Sequence, residues 1–211
     1  MSVDEILREA LPDLAYAKLS GGGLTVSGGE PLMQPAFTAA LVKEAKKNGL
    51  HICLDTCGFG EAEQLTALAA DVDLFLYDLK ETDPVRHRRY TGVPLAPILE
   101  NLRRLDALGA KFILRCPLIP GLNDRAEHWR NVGRLASELN GTLQLEIMPY
   151  HPLGVDKYDC LGRTPGFAGE IPAAAMLERC LHLASLSGNG RYPVKASGVR
   201  QRANQTATSF S

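Results

Sequence analysis

The stretch Gly21-Gly22-Gly23-Leu24-Thr25-Val26-Ser27-Gly28-Gly29-Glu30-Pro31 places a short apolar strand between two glycine turns. Its second glycine pair is followed at once by an acid and a proline. Because glycine has no Cβ, a strand that ends in Gly28-Gly29 leaves backbone amides and carbonyls accessible to a ligand. The pattern therefore predicts either a turn that binds a small polar group through the main chain or a simple tight connection to a helix.

The composition is that of an ordinary globular protein. Of the 211 residues, 45% are hydrophobic and 22% are charged, which is enough for one domain with its own core. The formal net charge of −1 gives no electrostatic case for a nucleic acid or a membrane surface as partner. No stretch resembles a signal peptide or a membrane-spanning helix. Five scattered cysteines predict a reducing cytoplasm and no disulfide framework; they are Cys53, Cys57, Cys116, Cys160 and Cys180.

Short apolar runs alternate with helical patterns along the chain. The predicted strands are Leu24–Ser27, His51–Thr56, Leu74–Leu79, Lys111–Ile119 and Leu143–Tyr150. The helices are predicted from a capping box at Ser2, from Pro35, over Glu61–Ala70, over Ile98–Leu108, from a cap at Asn123 or Asp124, and around Leu177–Ala184. Strand alternating with helix indicates right-handed βα units and a parallel sheet.

The unusual polar residues fall at or just past the carboxyl ends of these strands. They are Gly28-Gly29-Glu30, Asp55-Thr56, Asp78-Leu79-Lys80, Arg115 and His151. In βα barrels this is the face that carries the ligand site. The distribution therefore favours a barrel over an open doubly wound sheet.

Asp55 and Asp78 follow neighbouring predicted strands. Two carboxylates that meet in a site repel each other, so that one takes up a proton or a cation lies between them. The alternative is that each caps the helix that follows. Arg115 is suited to bind an anion but also to form a structural salt bridge, and His151 beside Pro152 is compatible with a simple surface position.

These motifs together resemble the radical S-adenosylmethionine (radical SAM) enzymes that activate glycyl radical enzymes, the pyruvate formate-lyase activating family. The segments Gly28–Pro31, Asp55–Phe59 and Asp78–Lys80 carry the resemblance, which extends in order to about Ala196. It implies a partial (β/α)6 TIM-like barrel with about five βα units and without its first strand. Residues 1–198 are expected to form this truncated radical SAM domain, and the polar stretch 199–211 to be disordered.

The resemblance also implies roles for individual residues. The cofactor S-adenosylmethionine would contact Gly28, Gly29, Glu30, Asp78, Leu79, Lys80, Arg115 and His151. A monovalent cation beside it would be held by Asp55, Thr56, Asp78 and the main-chain carbonyl of Leu76. Hard oxygen ligands suit such an ion.

In this family a [4Fe-4S] cluster on a Cys-x3-Cys-x2-Cys loop cleaves the cofactor reductively, and the resulting 5′-deoxyadenosyl radical takes hydrogen from a glycine of the partner enzyme. The sequence contains no such loop: Cys53 and Cys57 have the first spacing, but Gly60 stands at the third position. We therefore expect Cys53 to be a small core residue and the chain to be a fragment without cluster ligands, inactive alone.

The expected partners are a glycyl radical enzyme and an electron donor of the flavodoxin or ferredoxin type, in anaerobic metabolism. Self-association through the open edge of the barrel is expected as well. The alternative is a module that binds S-adenosylmethionine or a partner protein without chemistry.

Overall fold

Six parallel strands form one sheet in which each strand lies beside the next one along the chain, in the part of the chain that the computed structural model describes, residues 1–13, 16, 19, 21–152 and 169–197. The strands are β1 (Gly23–Val26), β2 (His51–Thr56), β3 (Leu74–Asp78), β4 (Phe112–Leu118), β5 (Thr142–Pro149) and β6 (Val194–Ala196). The helices are α1 (Val3–Ala10), α2 (Pro35–Lys47), α3 (Ala62–Ala69), α4 (Pro84–Thr91), α5 (Ala96–Ala107), α6 (Ala126–Glu138) and α7 (Ala174–Ser187).

Consecutive strand order determines where the helices lie. Parallel neighbours are joined by right-handed crossovers, so a 1-2-3-4-5-6 order puts the crossover helices on one face of the sheet. This is the arrangement of a βα barrel, and it confirms the predicted fold class. Among the described helices, none combines the length and the apolar composition needed to cross a bilayer.

The two faces of the sheet differ in burial because side chains alternate along each strand. On the helix-covered face the side chains are fully buried, as for Leu54, Tyr77 and Leu114. On the opposite face, here called the inner face, they are only partly buried, as for Asp55 and Arg115. The inner face therefore keeps polar side chains within reach of a ligand, while the other face supplies the core.

Local sequence signals correctly predicted where α1 and α2 begin. The capping box of α1 is present: Glu5 N–H donates to Ser2 Oγ at 3.2 Å, and Ser2 N–H donates to the Glu5 carboxylate at 2.7 Å. Helix α2 begins at Pro35 as predicted, since proline at the first helical position loses no hydrogen bond.

The predicted cap of α6 is wrong. The helix begins at Ala126, after Arg125, and has no side-chain cap. The side chain of Asn123 is instead committed to the loop before the helix: it accepts from Ile119 N–H at 2.8 Å and donates to the carbonyls of Pro117 at 2.7 Å and Lys80 at 3.1 Å. This buried amide ties the loop after β4 to the loop after β3.

Other parts of the fold were not predicted or differ from the prediction. Helix α4 is rich in arginine and has no apolar stripe, and β6 has only three residues, so neither produced a periodic signal. Cys53, expected in the core, lies partly exposed on the inner face, because it shares the strand alternation of Asp55. Cys160 and the stretch 199–211 lie outside the described residues.

Strand β1 forms one edge of the sheet and pairs only with β2 among the described residues. An open edge can pair with a strand of another molecule, so we expect concentration-dependent self-association. Light scattering over a dilution series should show it, and Thr25→Lys on the exposed edge should reduce it. The matched control is Ser185→Lys on the exposed surface of α7. A monomer at all concentrations, or equal effects of both lysines, would contradict the expectation.

Candidate functional site

A cavity of about 330 Å³ opens where β1, β2 and β3 end. Most of the residues predicted for a ligand site line it, together with two that were not predicted, Ser27 and Cys57. The lining residues are Ser27, Gly28, Gly29, Glu30, Asp55, Thr56, Cys57, Asp78, Lys80 and Arg115. The position at the carboxyl ends of the strands is the one at which βα folds bind ligands.

Arg115 lies between the two carboxylates that the sequence placed together. Its Nη2 lies 2.5 Å from Asp55 Oδ1 and 2.8 Å from Asp78 Oδ1, and its Nε donates to Asp78 Oδ1 at 2.9 Å. Burial opposes the charge of the guanidinium, but Asp78 and Asp55 outweigh it and raise the pKa of Arg115. The repulsion between the carboxylates is thus relieved by a positive group of the chain itself.

Neither aspartate acts as a helix cap. The residue before α3 is Glu61, and the cap of α4 is Asp83, whose carboxylate accepts from Arg86 N–H at 2.8 Å. The capping alternative for Asp55 and Asp78 is therefore excluded. Both carboxylates point into the cavity, with side chains about one fifth exposed.

Arg115 reaches the cavity from the middle of its strand, whereas the sequence suggested the strand end. It is the fourth of the seven residues of β4 and is the register partner of Asp78, the last residue of β3. Strand β4 continues because it pairs with β5 as far as Leu118. Register partners on parallel strands face the same side, which brings the guanidinium beside the carboxylate.

The glycine turn leaves its main chain open toward the cavity. Gly28 has a φ of +130°, a conformation that favours glycine, and no atom lies within 4 Å of the position that a Cβ would occupy on Gly28 or Gly29. Beside the turn, Ser27 Oγ donates to Asp55 Oδ2 at 3.1 Å. Alternation from Thr25 along β1 could have indicated Ser27 as a lining residue.

The side chains of Glu30 and Thr56 hold the loops around the cavity. Glu30 accepts from Thr56 Oγ1 at 2.5 Å, from Cys57 N–H at 2.8 Å and from Leu32 N–H at 3.1 Å. The Thr56 hydroxyl in turn accepts from Gly58 N–H at 2.9 Å. Burial and the neighbouring Glu30 raise the pKa of Cys57 to about 11, so this thiol stays protonated at neutral pH.

Lys80 stands at the mouth of the cavity, with Nζ 3.2 Å from Asp78 Oδ2 and a side chain that is 42% exposed. The loop that carries Lys80 is anchored by the next residue, Glu81, whose side chain is fully buried. Glu81 accepts two hydrogen bonds from Arg125 Nη2, at 2.9 and 3.1 Å, and lies 3.1 Å from His128 Nδ1. Burial alone would raise its pKa; the bonds from His128 and from the Asp83 and Thr82 amides lower the pKa of Glu81 to about 2.

Three residues named for the site are not among those that line this cavity. Leu76 lies on β3 with its side chain on the inner face, Leu79 is buried in the core, and His151 is exposed two residues beyond β5. The N–H of Leu79 is bonded to the carbonyl of Arg115 at 2.8 Å. The roles assigned to these three residues therefore remain predictions.

The cysteines in the described part of the chain, Cys53, Cys57, Cys116 and Cys180, do not come together as an iron–sulfur ligand set. Such clusters need several thiolates at set spacing, and the described residues contain no group of three or more metal-ligating side chains. Cys116 is fully buried, which raises the pKa of its thiol, and burial raises that of Cys180 to about 11.

Comparison with known proteins shows the family and the fold. Residues 1–132 match the family model described as the radical SAM superfamily. The chain is 42% identical over 164 residues to the isethionate sulfite-lyase activating enzyme of Nitratidesulfovibrio vulgaris, covering 77% of this chain and 53% of that one. It is 40% identical over 169 residues to the pyruvate formate-lyase-activating enzyme of Staphylococcus epidermidis, covering 77% and 67%.

A solved structure of a domain of pyruvate-formate lyase-activating enzyme from Bacteroides vulgatus superposes with a TM-score of 0.70 at 26% identity. The match covers 84% of this chain and 99% of that domain. The chain thus spans a whole solved domain, but only about half the length of the sulfite-lyase activating relative. On this evidence the chain belongs to the radical SAM superfamily, in which its relatives are the activating enzymes of glycyl radical enzymes.

Proposed function

We propose that the chain binds S-adenosylmethionine in the cavity at the ends of β1, β2 and β3, and that it serves the activation of a glycyl radical enzyme. The observation that carries the proposal is the presence of both signs of charge around an open glycine main chain. The methionine end of the cofactor is a zwitterion beside a sulfonium, so it needs anionic and cationic partners at once.

In this proposal, each part of the cavity contacts a different group of the cofactor. The main chain at Gly29 and Glu30 binds the amino group of the cofactor, and Lys80 and Arg115 face its carboxylate. Support comes from the open approach to Gly29 and from the exposed ammonium of Lys80 at the mouth. His151 would lie against the nucleoside, where a flat imidazole can stack or donate a hydrogen bond.

A monovalent cation beside the cofactor would be bound by Asp55, Asp78, Thr56 and the carbonyl of Leu76. The two carboxylates already share a positive group, Arg115. The Thr56 hydroxyl donates one hydrogen bond and accepts one, which leaves a lone pair for the ion. Cation binding here would free part of the Arg115 guanidinium for the cofactor carboxylate.

The bound cofactor would supply the 5′-deoxyadenosyl group for hydrogen abstraction from glycine. The residues of this chain bind and orient it and neutralise its charges. A second candidate is a module that binds S-adenosylmethionine or a partner protein without chemistry. An electron donor of the flavodoxin or ferredoxin type would belong to the first candidate only.

Calorimetric titration with S-adenosylmethionine, with and without potassium, tests the binding site. We expect Asp78→Asn to weaken binding about tenfold, a loss of ~1.4 kcal/mol, and potassium to strengthen binding to the parent more than to the variant. The matched control is Asp71→Asn, which lies before β3, at the opposite end of this strand from Asp78. Equal binding by all three proteins without any potassium effect would contradict the assignment of this site.

A further inference from the structure

A second cavity, of about 440 Å³, lies between α4 and the loop that follows β4. We call it the α4 groove. Lys80 lines both this groove and the cofactor cavity, so the two lie next to each other at that side chain. The volume is in the range of cavities that bind ligands or anchor side chains.

The groove is lined in part by apolar side chains, and hydrogen bonds hold its two sides in place. Its apolar lining residues include Pro117, Ile119 and Leu122. The hydroxyl of Tyr90 lies 3.5 Å from the carbonyl of Leu122. The buried amide of Asn123 bonds the carbonyls of Pro117 and Lys80 and thereby joins the two sides. A groove held in this way is formed before a partner arrives, which lowers the entropic cost of binding.

The charge in the groove is of one sign. Its charged lining residues are Lys80 and Arg89, and no carboxylate lines it among the described residues. Of the acids nearest in sequence, Asp78 pairs with Lys80 at 3.2 Å from the side of the cofactor cavity. Glu81 pairs with Arg125, and Asp83 caps the first turn of α4. Since the chain as a whole carries a net charge of −1, this concentration of cations is a local feature.

Helix stability does not explain the position of Arg86 on α4. Arg86 and Arg89 are both exposed, lie three residues apart and so share one face of the helix, where like charges destabilise it slightly. Arg88 and Arg89 suit the carboxyl end of the helix, but Arg86 lies in the first turn, where a positive charge opposes the helix dipole. An anionic partner on this face would account for Arg86 and Arg89 together.

We propose that the α4 groove docks an acidic, partly apolar peptide segment of a partner protein. Beyond the groove, the positive charge on α4 continues from Arg89 to Arg86, about 4.5 Å farther along the helix, which suits a peptide better than a small molecule. The inference rests on the proposed function in one respect: the partner is taken to be the enzyme that is activated, brought beside the cofactor at Lys80.

The test uses a fluorescein-labelled peptide with glutamates around one tyrosine and one leucine, and a second peptide in which glutamine replaces each glutamate. Fluorescence anisotropy should show that the acidic peptide binds Arg89→Glu at least about tenfold more weakly than it binds the parent. The parent should also bind the glutamine peptide at least about tenfold more weakly than the acidic peptide. The control is Arg130→Glu, an equal charge change on the exposed face of α6, with an expected loss within about twofold.

Equal losses in Arg89→Glu and Arg130→Glu, or equal binding of the two peptides, would overturn the proposal. So would displacement of the peptide by a single-stranded oligonucleotide as effectively as by unlabelled acidic peptide. Titration of the same proteins with S-adenosylmethionine separates the two hypotheses. Cofactor binding without peptide binding overturns the docking groove alone, and peptide binding without cofactor binding overturns the proposed function alone.

Discussion

Replacing Glu81 with alanine is expected to lower the free energy of unfolding by about 3–5 kcal/mol, because it breaks a buried ion pair and leaves the partner charge unpaired. Glu81 is fully buried and bonds Arg125, His128 and the backbone amides of Thr82 and Asp83. Urea denaturation measures the loss. Glu100→Ala, at an exposed position of α5, is the control and should change stability by less than about 0.5 kcal/mol.

The Glu81 cluster also predicts a pH dependence. The pKa of Glu81 is lowered from 4.5 to about 2 in the folded chain. Its stabilising contribution is therefore complete above about pH 4.5 and is lost as the pH falls toward 2. Glu81→Gln removes this titration, so the stability difference between parent and variant should be largest above that range and shrink below it. A difference that stays constant across the range would contradict a lowered pKa.

Replacing Gly58 with alanine is expected to cost about 2–6 kcal/mol of stability. Gly58 has a φ of +71°, and a Cβ there would overlap the hydroxyl and ring of Tyr77. That ring cannot move aside freely, since Tyr77 is fully buried and its hydroxyl donates to the carbonyl of Ile98 at 2.6 Å. The substitution therefore adds an overlap to a strained backbone.

Gly92→Ala separates these two effects. Gly92 has a similar φ of +81° at the end of α4, but no atom lies within 4 Å of its missing Cβ. The Gly92→Ala variant should lose only the stability that a strained left-handed backbone costs, about 1–2 kcal/mol. Equal losses at both positions, measured by urea denaturation, would show that the overlap with Tyr77 is relieved without cost.

Gly58→Ala should also weaken cofactor binding more than Gly92→Ala does. The N–H of Gly58 donates to Thr56 Oγ1 at the cavity, and its carbonyl accepts from Asn101 of α5 at 2.8 Å. A shift of this turn therefore reaches Thr56 and the bond from its hydroxyl to Glu30. Calorimetry on folded protein at low temperature measures the effect.

The sequence was sufficient to predict five of the six described strands and the meeting of Asp55 with Asp78, because apolar runs and strand-end positions are local signals. It was not sufficient to predict what lies between the two carboxylates. The position of Arg115 depends on the register of β4 against β3, which no local pattern encodes. The same holds for the cluster around Glu81, whose partners Arg125 and His128 are more than forty residues away.

The residues proposed to bind the cofactor and those proposed to dock a partner lie on different elements of the fold. Asp55, Asp78 and Arg115 stand on strands whose register is held by the whole sheet, whereas Arg86 and Arg89 stand on the outer surface of one short helix. Mutations on that helix can alter the proposed docking surface without displacing the residues proposed to bind the cofactor. A lineage of activating enzymes could in this way acquire new targets while its chemistry stayed the same, and two relatives of this chain already bear the names of different lyases.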